Sequence, residues 1–297
     1  MSGYQALREG VAWLDLDGRG RFRATGEDRA RLLHAMTTNH IQQLRPGASC
    51  YAFFLNDKGR ILGDANILNL GESLLIDTEA ASHDVLFQHL DKFIIADDVT
   101  LEDAREDTAA IGVEGPQAEA LRGELEGYTI GAYSCTGLGL RVYVPRAGKQ
   151  ALIDRLEQLG AVAASAEDQN IVRLERFRPV YGLDFSEKHL VHETQLLHAV
   201  HFTKGCYLGQ EIVERVRSRG QVHRLLVPLY VDVQEAPTAG SPVVGGDVAA
   251  GETMSAAYSP SLGRSIAFAV LRSDYAKPGT QLTVNHVKAE VAAAKGA

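Results

Sequence analysis

The residues best suited to chemistry are the run Lys204-Gly205-Cys206-Tyr207-Leu208-Gly209-Gln210-Glu211. A single cysteine stands between two glycines, beside a lysine, at the start of a helix expected over Gln210 to Val216. Glycine lets the backbone turn and approach other groups closely. A nearby ammonium and a helix N-terminus both favour thiolate over thiol. Two readings stay open on these residues alone: Cys206 as a reactive thiol assisted by Lys204, or Cys206 as a small packed residue on a tight turn. The other two cysteines, Cys50 and Cys135, lack basic neighbours and read as inert.

Just after this run comes the densest positive stretch of the chain, Arg215, Arg217, Arg219 and Arg224. It reads either as a solvated basic face or as a seat for an anion, with Arg215 and Arg224 as candidate ligands. Four histidines, His189, His192, His198 and His201, precede Cys206, but their spacing matches no zinc pattern and no second cysteine is near. No metal site is expected. Glu175 lies on a polar helix with Arg173, Arg176 and Arg178, where a salt-bridged surface face is the ordinary outcome.

The bulk properties narrow the setting. At 297 residues and 45% hydrophobic, the chain can form two or three domains with cores of their own. The net charge of −8 argues against a general nucleic-acid binder. No apolar run reaches the ~20 residues of a membrane span, and the first residues are too polar for a signal peptide. Three cysteines without framework spacing fit a reducing compartment, so a cytoplasmic protein is expected.

The elements that must position these residues follow from periodicity and turn signals. A helix with a capping pattern is expected after Thr25, strands over Tyr51 to Leu55, Ile61 to Leu68 and Ser73 to Asp77, and a helix from about Ala81 to Phe93. A similar order recurs: strand Ala109 to Val113, helix Pro116 to Leu125, strand Leu138 to Val144, helix Lys149 to Leu159. This suggests two successive α+β lobes of the ferredoxin-like, split βαβ type. A helix is expected over Glu167 to Arg178, then a long loop over 184–203. From Val222 onward short strands separated by turns suggest a small β-barrel. The expected division is 1–220 for the two lobes and 221–297 for the barrel.

The octapeptide resembles the signature of the YgfZ family, folate-binding relatives of the glycine cleavage system T protein. Gly26-Glu27-Asp28-Arg29 through Pro46-Gly47, Phe54 to Asp64, Arg173-Leu174-Glu175 with Tyr181-Gly182, and Tyr258-Ser259-Pro260 with Ile266 to Ala269 are similar to that family in the same order. The resemblance implies a T-protein-like α+β fold with two lobes and a C-terminal β-barrel around a central folate pocket. It implies tetrahydrofolate, or a one-carbon derivative, as cofactor. It casts Glu175 as the pterin anchor with Tyr181 packed beside it, Asp64 as the acid facing the one-carbon region, and Arg215 and Arg224 as the seat of the glutamate tail. T proteins carry two adjacent acids where this chain has Gly63-Asp64, which puts aminomethyl transfer in doubt. The implied function is an accessory protein for assembly or repair of iron–sulfur clusters, serving client enzymes such as those that modify tRNA. A cluster would need ligands from a partner besides Cys206. The alternatives are a folate-dependent aminomethyltransferase or demethylase, and a non-catalytic scaffold.

Overall fold

The computed structural model describes residues 1–220 and 222–293. The expected 220/221 boundary touches Gln221, which lies outside the described residues, as do residues 294–297 at the end of the expected barrel domain.

The chain begins with α1 (Gly3–Glu9), capped by Ser2 and Gln5 in a reciprocal box. Strand β1 (Ala12–Asp15) follows, then β2 (Gly20–Thr25), α2 (Arg29–Met36), β3 (Ser49–Leu55), β4 (Ile61–Asn69), β5 (Leu74–Thr78), α3 (Ala80–Asp91) and β6 (Thr100–Asp103). Next come β7 (Thr108–Glu114), β8 (Thr129–Gly131), β9 (Gly139–Pro145), α4 (Lys149–Gln158), β10 (Val162–Ala163) and α5 (Ala166–Glu175). Two further helices, α6 (Val191–Thr194) and α7 (Gln210–Arg219), lead to β11 (Arg224–Val231), β12 (Pro242–Gly245), β13 (Val248–Ser259), β14 (Arg264–Arg272), β15 (Gln281–Val284) and β16 (Val287–Val291).

Two five-stranded sheets and a closed barrel result. The first sheet runs β3-β4-β5-β2-β6, the second β10-β1-β7-β9-β8, and the barrel β11-β14-β13-β12-β15-β16. The lobes are not simply successive in sequence. Strand β1 pairs antiparallel with β7 and parallel with β10, so the start of the chain completes the second lobe. The segment 116–125, expected as a helix, is a 3-10 turn confined to Ala118–Leu125. The expected loop over 184–203 holds the short α6.

Strand alternation sorts the side chains of the first sheet. Ala65, Ile67, Leu74 and Ile76 pack beneath α2 and α3 with Phe22, Leu33 and Leu86. Leu68 and Leu75 turn the other way, onto Leu14, Ala110 and Tyr143 of the second lobe. Asp64 and Asn66 share the face of Leu68, and Asp77 that of Leu75, so buried polar groups enter the seam between the lobes. A third cluster ties Phe53, Leu174, Phe185, Tyr207 and Val213 to Leu226 and Phe268 of the barrel.

Candidate functional site

Asp77 is the hub of the seam. Arg141 Nη1 donates to its Oδ2 at 2.7 Å, with both side chains fully buried. Arg19 Nε donates to Oδ1 at 2.7 Å and the Tyr143 hydroxyl to Oδ2 at 2.7 Å. Burial opposes ionisation, but the two guanidinia and these hydrogen bonds hold the carboxyl down to about 2. Arg19 also pairs with Glu79. The Arg141 guanidinium lies 4.4 Å from the centre of the Tyr133 ring, a cation–π contact. Charges from both lobes are thereby fixed behind the wall of a cavity.

That cavity, of about 580 Å³, opens between the two lobes, helix α5 and the segment 178–198. The barrel contributes none of its lining. Arg19, Tyr51, Glu79, Tyr133, Cys135, Arg178 and His198 are among the residues that form it. Tyr51 lies near-parallel to Tyr133 (6.1 Å, 19°) and to His198 (5.5 Å, 24°), and all three rings line the cavity.

Asp64 stands behind Tyr51. Its Oδ2 accepts from the Tyr51 hydroxyl at 2.6 Å, while its buried Oδ1 has no hydrogen-bond partner among the described residues. Burial first, and then the charge of Glu79, push this carboxyl up to about 7. A buried acceptor left without a donor is costly. It is an opening for a ligand that brings one. Two residues on, the buried Asn66 amide nitrogen also lacks a partner among the described residues.

Gly63 faces the opposite way. A Cβ there would come within 2.7 Å of the Ser82 Cβ and 3.0 Å of Leu86 Cδ1. An acid at position 63 would point into the helical layer, away from the face of β4 that carries Asp64.

The other expected site residues are dispersed. Glu175 is absent from the cavity lining. Its Oε1 accepts from the hydroxyls of Tyr4 (2.6 Å), Ser259 (2.6 Å) and Ser261 (3.0 Å), and Arg8 pairs with Oε2 at 3.1 Å. Glu175 thus joins α1, α5 and the barrel through Oε1, while Oε2, among the described residues, meets Arg8 alone. Arg215 pairs with Glu211 one turn earlier on α7, and Arg224 lies 3.6 Å from Glu193. Neither lines the cavity. Tyr181 packs edge-on to Phe185 at 5.7 Å, and burial raises its hydroxyl to about 12.

Lys204 does not serve Cys206. Its buried ammonium donates to the carbonyls of His34 and, at 2.6 Å, Thr37, latching onto the end of α2, and it lies over the Tyr207 ring. Burial lowers it to about 8, and the thiol whose charge it meets is Cys50. Tyr207 is buried, and a Cβ at Gly209 (φ +82°) would come within 2.7 Å of the Asn56 carbonyl. The octapeptide is thus a frame anchored by the buried Lys204 and Tyr207, on which Cys206 is the exposed cysteine. The four histidines part company: His198 joins the cavity wall, His201 meets His40, and the His189 Nδ1 accepts from the Ser186 amide. Among the described residues, no three His, Cys, Asp or Glu side chains gather as a metal site, and no helix is long and apolar enough to cross a membrane.

The seam residues Asp77, Arg141, Tyr143, Tyr51 and Tyr133 escape a search for motifs. Their signal is quieter: polar residues at alternate positions of otherwise apolar strands, as in Asp64 and Asn66 or Arg141 and Tyr143.

Comparison with known families agrees with this architecture. Residues 2–134 match the GCVT N-terminal domain, and residues 224–295 match the glycine cleavage T-protein C-terminal barrel domain. The chain is therefore similar to the glycine cleavage T proteins in both its N-terminal region and its barrel. Among its curated relatives, an aminomethyltransferase of Herpetosiphon aurantiacus is 26% identical over 304 residues, covering 95% of this chain and 84% of that protein. An aminomethyltransferase of Streptomyces coelicolor is 28% identical over 307 residues, covering 93% and 82%. The crystal structure of the glycine cleavage system aminomethyltransferase T from Bartonella henselae superposes with a TM-score of 0.88 at 17% identity, covering 98% of this chain and 87% of that one. That likeness establishes the shared fold.

Proposed function

We propose that this chain binds a reduced folate in the interlobe cavity, with the pterin end against Asp64 and Tyr51. The observation that carries the reading is the buried, unpartnered Oδ1 of Asp64 beside a stack of three aromatic rings. A pterin is flat and edged with N–H donors, so it fits both features. The relatives called aminomethyltransferases support the same ligand class. Bound tetrahydrofolate would supply nitrogen atoms that carry one-carbon groups. The protein's part is to stack the ring, exclude water and hold or release a proton at Asp64 near neutral pH. Calorimetry with tetrahydrofolate tests this: Asp64→Ala should weaken binding at least tenfold, on the scale of a charge-assisted hydrogen bond. Equal affinity in the folded variant would overturn it.

The use to which the folate is put divides into two readings. The first is an accessory protein for iron–sulfur cluster assembly or repair, serving partners such as tRNA-modifying enzymes. Its support is the exposed Cys206, presented outside the cavity by the packed frame around Lys204 and Tyr207 and able to lend one thiolate to a partner's cluster. Cys206→Ser in a deletion strain should then keep folate binding and lose client activity. The second is folate-dependent aminomethyl transfer. It is favoured by the orientation of Gly63, since the acid on the interlobe face of the strand, Asp64, is retained. Methylenetetrahydrofolate formed from an aminomethyl-lipoyl carrier would select it.

A further inference from the structure

Four arginines, Arg19, Arg141, Arg173 and Arg178, stand at or behind the cavity wall, and three are spoken for. Arg19 and Arg141 are held by Asp77, and Arg173 by Asp184 at 2.8 Å. Arg178 differs. It lines the cavity, and among the described residues its guanidinium has no acidic partner and makes no hydrogen bond. Its backbone is clamped on both sides by Arg173: the Arg178 amide donates to the Arg173 carbonyl at 2.8 Å, and Arg173 Nη1 donates to the Arg178 carbonyl at 3.1 Å. The following Pro179 restricts it further. The guanidinium lies directly against Gly137 (φ +95°), whose missing side chain leaves room for it. A Cβ there would come within 2.7 Å of Arg178 Nε.

A half-buried guanidinium, held in place and facing a cavity without a counter-charge, is a seat for a carboxylate. Asn170 and Gln169 line the same cavity. The Asn170 Oδ1 is taken by Arg173 Nε, which leaves its amide N–H groups to donate. His198 connects this seat to the acid end of the cavity. It stacks on Tyr51, whose hydroxyl meets Asp64. Burial, and then the charge of Arg178, lower its basicity, so it adds little cation of its own.

The cavity therefore has the cation of Arg178 in its lining and, beyond His198, the Tyr51 ring whose hydroxyl meets the buried Asp64 behind it. We infer that Arg178 is the seat of the glutamate carboxylate of a bound folate, a role the sequence had assigned to Arg215 and Arg224. This rests on the proposed folate site and adds to it a polarity: pterin toward Asp64, acidic tail toward Arg178.

The experiment compares tetrahydrofolate with tetrahydropteroate, which has the same pterin and aminobenzoyl groups but no glutamate. Affinities are measured by calorimetry under reducing conditions for the wild type, Arg178→Gln and Arg178→Lys. The wild type should bind tetrahydrofolate roughly tenfold to a hundredfold tighter than tetrahydropteroate, the scale of a charge-assisted contact. Arg178→Gln should abolish that preference while leaving tetrahydropteroate affinity within about twofold, and Arg178→Lys should restore part of it. A wild type that does not discriminate, or a glutamine variant that weakens both ligands equally, overturns the carboxylate seat and leaves the folate site standing. Failure of the wild type to bind either ligand overturns both. Unchanged thermal unfolding of the variants shows that the fold is intact, as expected for a side chain without partners.

Discussion

Asp64→Asn should make the protein more stable, and the gain should grow with pH. The carboxyl is raised from an ordinary 3.8 to about 7 by burial and by Glu79. The folded state thus holds this proton to higher pH than the unfolded state does. The stability associated with the group is fully present below about pH 4 and is lost as pH rises through 7. The interval corresponds to roughly 4 kcal/mol at pH 8, from about 1.4 kcal/mol for each tenfold change. An asparagine keeps the acceptor for the Tyr51 hydroxyl but places an unpartnered N–H where Oδ1 now lies, at a cost of about 1–2 kcal/mol. The net gain should be roughly 2–3 kcal/mol at pH 8, or ~3–5 °C in Tm for a chain of this size. At pH 5, where the wild-type carboxyl is protonated, little gain remains. Urea unfolding of both proteins at pH 5 and pH 8 measures it. A difference of the same size at both pH values would refute the reasoning, because it would mean that Asp64 does not titrate with the fold.

Other outcomes follow from the same geometry. Glu175→Ala removes the acceptor of three hydroxyls and the partner of Arg8, so it should cost about 2–3 kcal/mol by denaturant unfolding while leaving tetrahydrofolate affinity within about twofold. Arg141→Met leaves Asp77 a buried charge short of one partner and should cost roughly 3–5 kcal/mol. Asp77 itself contributes stability in full above about pH 4 that is lost as pH falls through 2. Cys206 should be the first thiol to alkylate at neutral pH, because it is exposed while burial raises Cys50 and Cys135 to about 11. Lys204→Met should not slow that alkylation, and peptide mapping after brief iodoacetamide treatment checks both statements.

Much of the fold can be read from local signals. The strand Ile61–Asn69, the helix Lys149–Gln158 closed by Gly160, and the barrel strands lie close to where periodicity and turn residues put them. The pairing of β1 with β7 could not be read, because about a hundred residues separate partners whose own sequences are short and apolar. The surroundings of the candidate residues were less legible than the strands that carry them. Asp64 stands out as a charge inside an apolar strand. Glu175 carries the family resemblance, yet Tyr4, Ser259 and Ser261 come from distant parts of the chain to occupy it. Lys204 is next to Cys206 in sequence but turns into the end of α2 instead, a direction that adjacency cannot specify. Arg178 looked like one more surface charge beside Arg176. Only in three dimensions does it stand without an acidic partner among the described residues.

The central claim is that the interlobe cavity holds folate against Asp64. A crystal structure of the protein with tetrahydrofolate tests it most directly. The account predicts the pterin ring along the Tyr133, Tyr51 and His198 wall, with a ring N–H or amino group within hydrogen-bond reach of Asp64 Oδ1 and the glutamate toward Arg178. A pterin bound at Glu175, or on the surface beside Cys206, would contradict it.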